Sequence, residues 1–121
     1  MFSQNKEVLH TTKGNLVTAD IWLRDWVETW HLMQTINKGL KLSKTEVVKI
    51  VHHAFKPQGD TVVWILSESH CALHTYPEQV YFSIDVYTCG FTAEPDNLIN
   101  HVIETYPTKK VHTHKLERGY Y

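Results

Sequence analysis

The stretch VYFSIDVYTC, Val80 to Cys89, alternates residue by residue. Tyr81, Ser83, Asp85, Tyr87 and Cys89 fall on one side and Phe82, Ile84 and Val86 on the other, the period of two expected of a half-buried strand. Such a strand needs a second layer over its apolar side. Two segments of helical spacing can supply it. In the first, Asp25 is expected to cap a helix in which Trp26, Trp30, Met33 and Leu40 recur, with Gly39 helping to end it. In the second, the turn from Gly90 to Pro95 leads into Leu98, Ile99, Val102 and Ile103, and Pro107 marks the end.

The remaining strands follow from β-branched and apolar runs. Leu16 to Trp22 reads as a first strand, TEVVKIVHHAF from Thr45 as a second, and TVVWILS, Thr61 to Ser67, as a third. Lys56 to Asp60 is a turn by its Pro and Gly, Pro77 interrupts any strand near it, and KKVHTHKLE closes the chain as a last strand. The predicted order is β, α, β, β, β, α, β: one α+β domain, a mainly antiparallel sheet with both helices on one face. Four tryptophans, six tyrosines and the two-sided apolar run at Val62 to Leu66 predict that the other face is covered as well, most simply by a second copy in an αββα sandwich. Residues 1–13 carry no pattern and read as a loose end.

Composition narrows the function classes. Twelve Lys plus Arg against thirteen Asp plus Glu leave a formal charge of −1, so no basic field draws nucleic acid or anionic lipid. No leader and no apolar run of membrane-spanning length is present, and Cys71 and Cys89 form no CxxC pair, so a reduced cytoplasmic setting is expected. Nine histidines include His52-His53 and His112-x-His114, yet no cysteine pair or HExxH accompanies them and no metal site is expected.

The chemically dense segment is LSESHCALHTYPE, Leu66 to Glu78. No GxSxG elbow surrounds its serines, and Cys89 lacks a cysteine-protease neighbourhood, so a hydrolase triad is poorly supported. Taken singly, His74 suits a hydrogen-bonded strand position as well as a catalytic one, and Cys89 suits a small hydrophobe. By parity His70, His74 and Tyr76 share a face, as do Asp85 and Cys89, whereas Ser69 and His74 point apart unless the chain turns near Ser69.

In combination, LSESHCALHTYPE followed by IDVYTCG resembles the processing and active-site signature of the prokaryotic S-adenosylmethionine decarboxylase proenzymes. The quoted residues match the family's SESH, its H-[TS]-aromatic-P-E and its D-hydrophobic-[FY]-T-C-G. Further matches are F-x-P-Q-G at Phe55 to Gly59, D-I-W-x-x-D at Asp20 to Asp25 and E-R-G at Glu117 to Gly119. The resemblance implies self-cleavage of the single domain 1–121 between Glu68 and Ser69 into chains 1–68 and 69–121. Ser69 would become a pyruvoyl group that forms a Schiff base with the substrate amine, with no metal and no pyridoxal phosphate. It further implies that His74 is the processing base, that Thr61 assists processing, and that Cys89 protonates the substrate α-carbon. Phe55 and Tyr76 would sandwich the adenine, and Glu78 would bind the ribose hydroxyls. The implied product is the aminopropyl donor for spermidine synthesis.

The chain departs from the family pattern at several positions. Asn15-Leu16 follows Gly14 where the family has G-x-H, Leu23-Arg24 replaces a Gly-Cys pair, and Val80 and Phe82 replace two small residues. An arginine or ornithine decarboxylase on the same scaffold, and a non-catalytic paralogue that binds a partner enzyme, are the alternative readings.

Overall fold

The computed structural model describes residues 13–90 and 92–120. The elements are strand β1 (Gly14–Leu23), helix α1 (Thr29–Leu42), strands β2 (Val47–Ala54), β3 (Asp60–Leu66) and β4 (Ser69–Tyr76), a single 3-10 turn (Pro77–Gln79), strand β5 (Tyr81–Cys89), helix α2 (Asp96–Thr105) and strand β6 (Thr108–Arg118). The strands form one antiparallel sheet in the order β2-β3-β4-β5-β1-β6.

One face of the sheet meets both helices in a single core. Val17, Ala19 and Ile21 of β1, Val62 and Trp64 of β3, Cys71 and Leu73 of β4 and Phe82, Ile84 and Val86 of β5 pack there with Leu32, Ile36 and Leu40 of α1 and Leu98 and Val102 of α2. Trp64 is fully buried, and its indole N–H donates to Asn37 Oδ1 at 2.6 Å, tying β3 to α1. Where the helices cross, Gly39 gives α1 clearance: a Cβ there would run into the Leu98 side chain and stand 3.2 Å from the Leu98 Cα.

The alternation at Tyr81–Cys89 is borne out, with buried and half-buried residues succeeding one another along β5. Four expectations need correction. The described residues form six strands, because the segment after Glu68 is itself a strand, β4, whose polar outward residues His70 and His74 obscure the inward series Cys71, Leu73 and Thr75. The helical stripe is also different. Helix α1 starts at Thr29, beyond Trp26, and buries Leu32, Ile36 and Leu40 at intervals of one turn, leaving Trp30 62% exposed. Its N-cap is Glu28, with no side-chain cap, so Asp25 lies outside the helix. Gly39 lies within the helix, which continues to Leu42. Within the single chain β3 turns Val62, Trp64 and Leu66 into the core, and Ile65 on its other face is 42% exposed, where the sequence places an interface. Of the expected loose end 1–13, residues 1–12 lie outside the described residues.

Candidate active site

The sheet's second face holds the even-numbered residues of β4 and the odd-numbered residues of β5. Register places His70 opposite Tyr87, Ala72 opposite Asp85, His74 opposite Ser83 and Tyr76 opposite Tyr81. The expected site residues fall into two separate groups: Thr61, His74, Tyr76 and Cys89 project from this face, whereas Ser69, odd-numbered and paired with the buried Leu66, starts β4 in phase with the helix side.

The first group sits at the hairpin joining β3 and β4. Leu66 pairs with Ser69, so Ser67 and Glu68 are the two loop residues, and Glu68 holds a left-handed backbone at φ 62°. The bond expected to break therefore follows directly on a conformation unfavourable for any residue with a Cβ. Ser69 opens β4, and its Oγ accepts a hydrogen bond of 3.3 Å from the backbone N–H of Cys89. Cys89 neighbours Tyr87 on the open face. The Tyr87 hydroxyl is pushed above its ordinary range, first by its hydrogen bond with Cys89, then by desolvation, with Arg118 opposing. A side chain at Gly14 would strike the Tyr87 ring and hydroxyl, so this glycine lets the tyrosine lie flat on β1. The other cysteine, Cys71, is core: burial, followed by the charge of Asp85, pushes its thiol far up.

The second group sits at the far end of the same hairpin. Thr61 and His74 are register partners, and Thr61 Oγ1 lies 3.1 Å from His74 Nδ1 in a hydrogen bond. Both line a cavity of about 200 Å³ together with Phe55, Asp60, Thr75, Tyr76 and Glu78. Phe55 is half exposed on the turn after β2 and lies edge-on to His53. Tyr76 stacks on Tyr81 at 5.3 Å, and Tyr81 on Trp22 at 4.7 Å. The Tyr81 hydroxyl donates to Asp20 at 2.6 Å and is pushed up to about 12, chiefly by burial and by that bond. Glu78 accepts a 2.8 Å hydrogen bond from Gln58 Nε2.

The structure thus unites Ser69 with Cys89, and Thr61, His74, Phe55, Tyr76 and Glu78 with one another, but keeps the two groups apart. Strand β4 is unbroken from Ser69 to Tyr76, so five residues at ~3.3 Å each put Ser69 and His74 about 17 Å apart along one chain. Gln58, Tyr81 and Trp22 join the second group without having been singled out by sequence. Gln58 falls within the F-x-P-Q-G stretch, and Tyr81 within the alternating strand. Among the described residues no group of three or more His, Cys, Asp or Glu side chains could hold a metal, and no helix is long and apolar enough to cross a membrane.

Fold and site together define a class: a one-sheet α+β chain with a serine at a strained hairpin and acid-base and aromatic groups arrayed on the open face. The family model for S-adenosylmethionine decarboxylase matches residues 15–119. The chain is 34% identical over 113 residues to the S-adenosylmethionine decarboxylase proenzyme 2 of Bacillus anthracis, covering 91% of this chain and 92% of that one. It is 33% identical over 116 residues to the S-adenosylmethionine decarboxylase proenzyme of Brevibacillus brevis, covering 91% and 85%. The fold matches the crystal structure of the adenosylmethionine decarboxylase from Aquifex aeolicus with a TM-score of 0.79 at 24% identity, over 92% of this chain and 94% of that one. The chain belongs to the S-adenosylmethionine decarboxylase family.

Proposed function

We propose that the chain is the precursor of a pyruvoyl-dependent S-adenosylmethionine decarboxylase that cleaves itself between Glu68 and Ser69, and that its active sites form between two copies. The observation that carries this reading is the separation of the site residues into two complementary groups at opposite ends of the single hairpin that underlies the open face. A twofold axis through that face sets Ser69 and Cys89 of one copy against Thr61, His74 and the aromatic cavity of the other, and does so twice. Exposed apolar side chains on or beside the face, among them Val51, Phe55, Ile65, Tyr76 and Leu116, give the contact area to bury. The relatives' names favour S-adenosylmethionine over arginine or ornithine, and processing is the meaning of the word proenzyme in them.

The processing steps follow from the residues. Ser69 Oγ attacks the Glu68 carbonyl, and the C–O bond forms as the C–N bond breaks, turning the amide into an ester with a free amine on residue 69. A histidine, His74 of the other copy, then removes the Ser69 α-proton, and Glu68 leaves as the new carboxyl terminus. Tautomerisation and addition of water release ammonia and leave the pyruvoyl ketone at residue 69. Ser69 suits this role: it follows directly on the left-handed Glu68, and its Oγ sits against the Cys89 backbone. The pyruvoyl group supplies an electrophilic carbonyl that takes up the electrons released with carbon dioxide. Around it, Cys89 gives a proton to the substrate α-carbon, Phe55 and Tyr76 hold the adenine and its neighbouring sulfonium, and Glu78, already accepting from Gln58, accepts from the ribose hydroxyls. The product would feed aminopropyl transfer in spermidine synthesis.

Mass spectrometry of the purified protein should find chains 1–68 and 69–121, the second headed by pyruvoyl, and the processed protein should release carbon dioxide from S-adenosylmethionine. An intact chain, or release from arginine alone, would overturn the reading.

A further inference from the structure

Behind Thr61 and His74, and reaching the wall of the same cavity through Asp60 and Thr75, lies a polar cluster that the chemistry above does not use. Asp60 opens β3, and its carboxylate accepts from Thr29 Oγ1 at 2.6 Å, at the start of α1, and from His52 Nε2 at 2.7 Å, on β2. Its backbone N–H donates to Thr75 Oγ1 at 2.8 Å, and the same hydroxyl reaches back toward Asp60 Oδ2 at 3.5 Å. One residue thereby ties together α1, β2, β3 and β4. The cluster is not a loose surface pairing: Thr75 is 4% exposed, and the Asp60 side chain is 18% exposed. Although partial burial opposes it, hydrogen bonds from Thr29 and His52 hold the Asp60 carboxyl below its ordinary range, so the acceptor stays ionised.

The members of this cluster are chain neighbours of the pair on the open face. Asp60 precedes Thr61, and Thr75 follows His74. Alternation sends Asp60 and Thr75 to one side of the sheet and Thr61 and His74 to the other, so fixing the first two fixes the backbone from which the second two project. Gly59 adds to the restraint: at φ 95°, with a position for Cβ only 3.2 Å from the Thr75 carbonyl oxygen, it lets the turn bearing Phe55 press against β4.

We infer that Asp60 is a positioning residue, which sets the Thr61–His74 hydrogen bond from the reverse side of the sheet through Thr29, His52 and Thr75. The inference rests on the reading of Thr61 and His74 as the processing pair. Self-cleavage involves no substrate, so the place of Asp60 in the cavity wall does not enter this readout. It predicts that loosening the clamp slows self-cleavage in a chain that is still folded, because the base is then aligned in a smaller fraction of the molecules.

The test follows first-order cleavage of the full-length chain, well below each variant's own unfolding temperature, in wild type, His74→Ala, Asp60→Ala, Asp60→Asn and Thr29→Val. Asp60→Ala should slow cleavage about tenfold, Asp60→Asn should recover to within about threefold of wild type because it keeps an acceptor oxygen, and Thr29→Val should fall between. Thr29→Val removes one hydroxyl and carries the comparison should Asp60→Ala not fold. Wild-type cleavage rates in the folded Asp60 and Thr29 variants, alongside a blocked His74→Ala, would overturn the role of Asp60 and leave the proposed function standing. A wild-type chain that never cleaves would overturn both.

Discussion

Glu68 is the residue at which backbone geometry and proposed chemistry coincide, and Glu68→Gly is the substitution that separates them. At φ 62° a residue with a Cβ suffers a left-handed penalty of ~1–2 kcal/mol, and glycine suffers almost none. Glu68 is held there by the two-residue loop between Leu66 and Ser69, and no described side-chain hydrogen bond or ion pair involves its carboxylate. Breaking the Glu68–Ser69 amide releases that restraint, so part of the penalty is removed on the way to the ester. Glycine lowers the energy of the uncleaved chain without offering the same relief, which raises the barrier by up to about 1.4 kcal/mol and slows processing by up to about tenfold. Glu68→Ala discards the carboxylate but keeps the Cβ, and should process within about twofold of wild type. The assay is a time course of the two fragments from freshly purified precursor, resolved by mass. A glycine variant as fast as wild type, or an alanine variant slowed as much as glycine, would refute the argument from backbone strain.

Other substitutions probe the scaffold. Gly39→Ala forces a methyl group against Leu98 where the helices cross and should destabilise the fold by ~1–3 kcal/mol in denaturant titration. Ser43→Ala removes a fully buried hydroxyl that has no partner among the described residues, and should leave stability unchanged or raise it by up to about 1 kcal/mol in the same titration. Because the Asp60 carboxyl is held below its unfolded value, its contribution is present above pH ~3.8 and is lost as pH falls through the lowered value. The stability gap between wild type and Asp60→Asn should therefore be constant near neutrality and close on acidification, as followed by circular dichroism. In the processed enzyme, Phe55→Ala should raise KM for S-adenosylmethionine about tenfold or more while changing kcat less, by steady-state measurement of carbon dioxide release.

Much of the architecture was legible because its strongest signals are periodic. Strand β5 sits within the sheet with one face in the core, so Phe82, Ile84 and Val86 alternate with polar neighbours and betray it. Strand β4 is equally central but was harder to see, since its hairpin carries Ser67-Glu68 in place of the usual Gly or Asn and its open face bears histidines. In α1 the aromatic residues drew attention from the aliphatic set that packs: Trp30 is exposed, while Leu32, Ile36 and Leu40 face the sheet. The family motifs pointed to Ser69, Cys89, Thr61, His74, Phe55, Tyr76 and Glu78, but not to Gln58, Tyr81 and Trp22. Linear spacing could not show that the two groups occupy opposite ends of one hairpin, which depends on the Leu66–Ser69 and Thr61–His74 pairings. The Asp60 cluster was out of reach for the same reason, being assembled from residues 29, 52, 60 and 75, which only the folded chain brings together.

The proposal that each active site is shared between two copies is open to a direct measurement. A Ser69→Ala chain cannot cleave but retains His74; a His74→Ala chain retains Ser69 but lacks its base. The two are made with different tags, and each is first purified alone to show that neither is processed. Co-expressed, they should yield pyruvoyl-headed fragment 69–121 from the His74→Ala chain only, because its Ser69 meets the His74 of the Ser69→Ala copy. A His74→Ala chain that stays intact in verified mixed dimers would contradict a shared site.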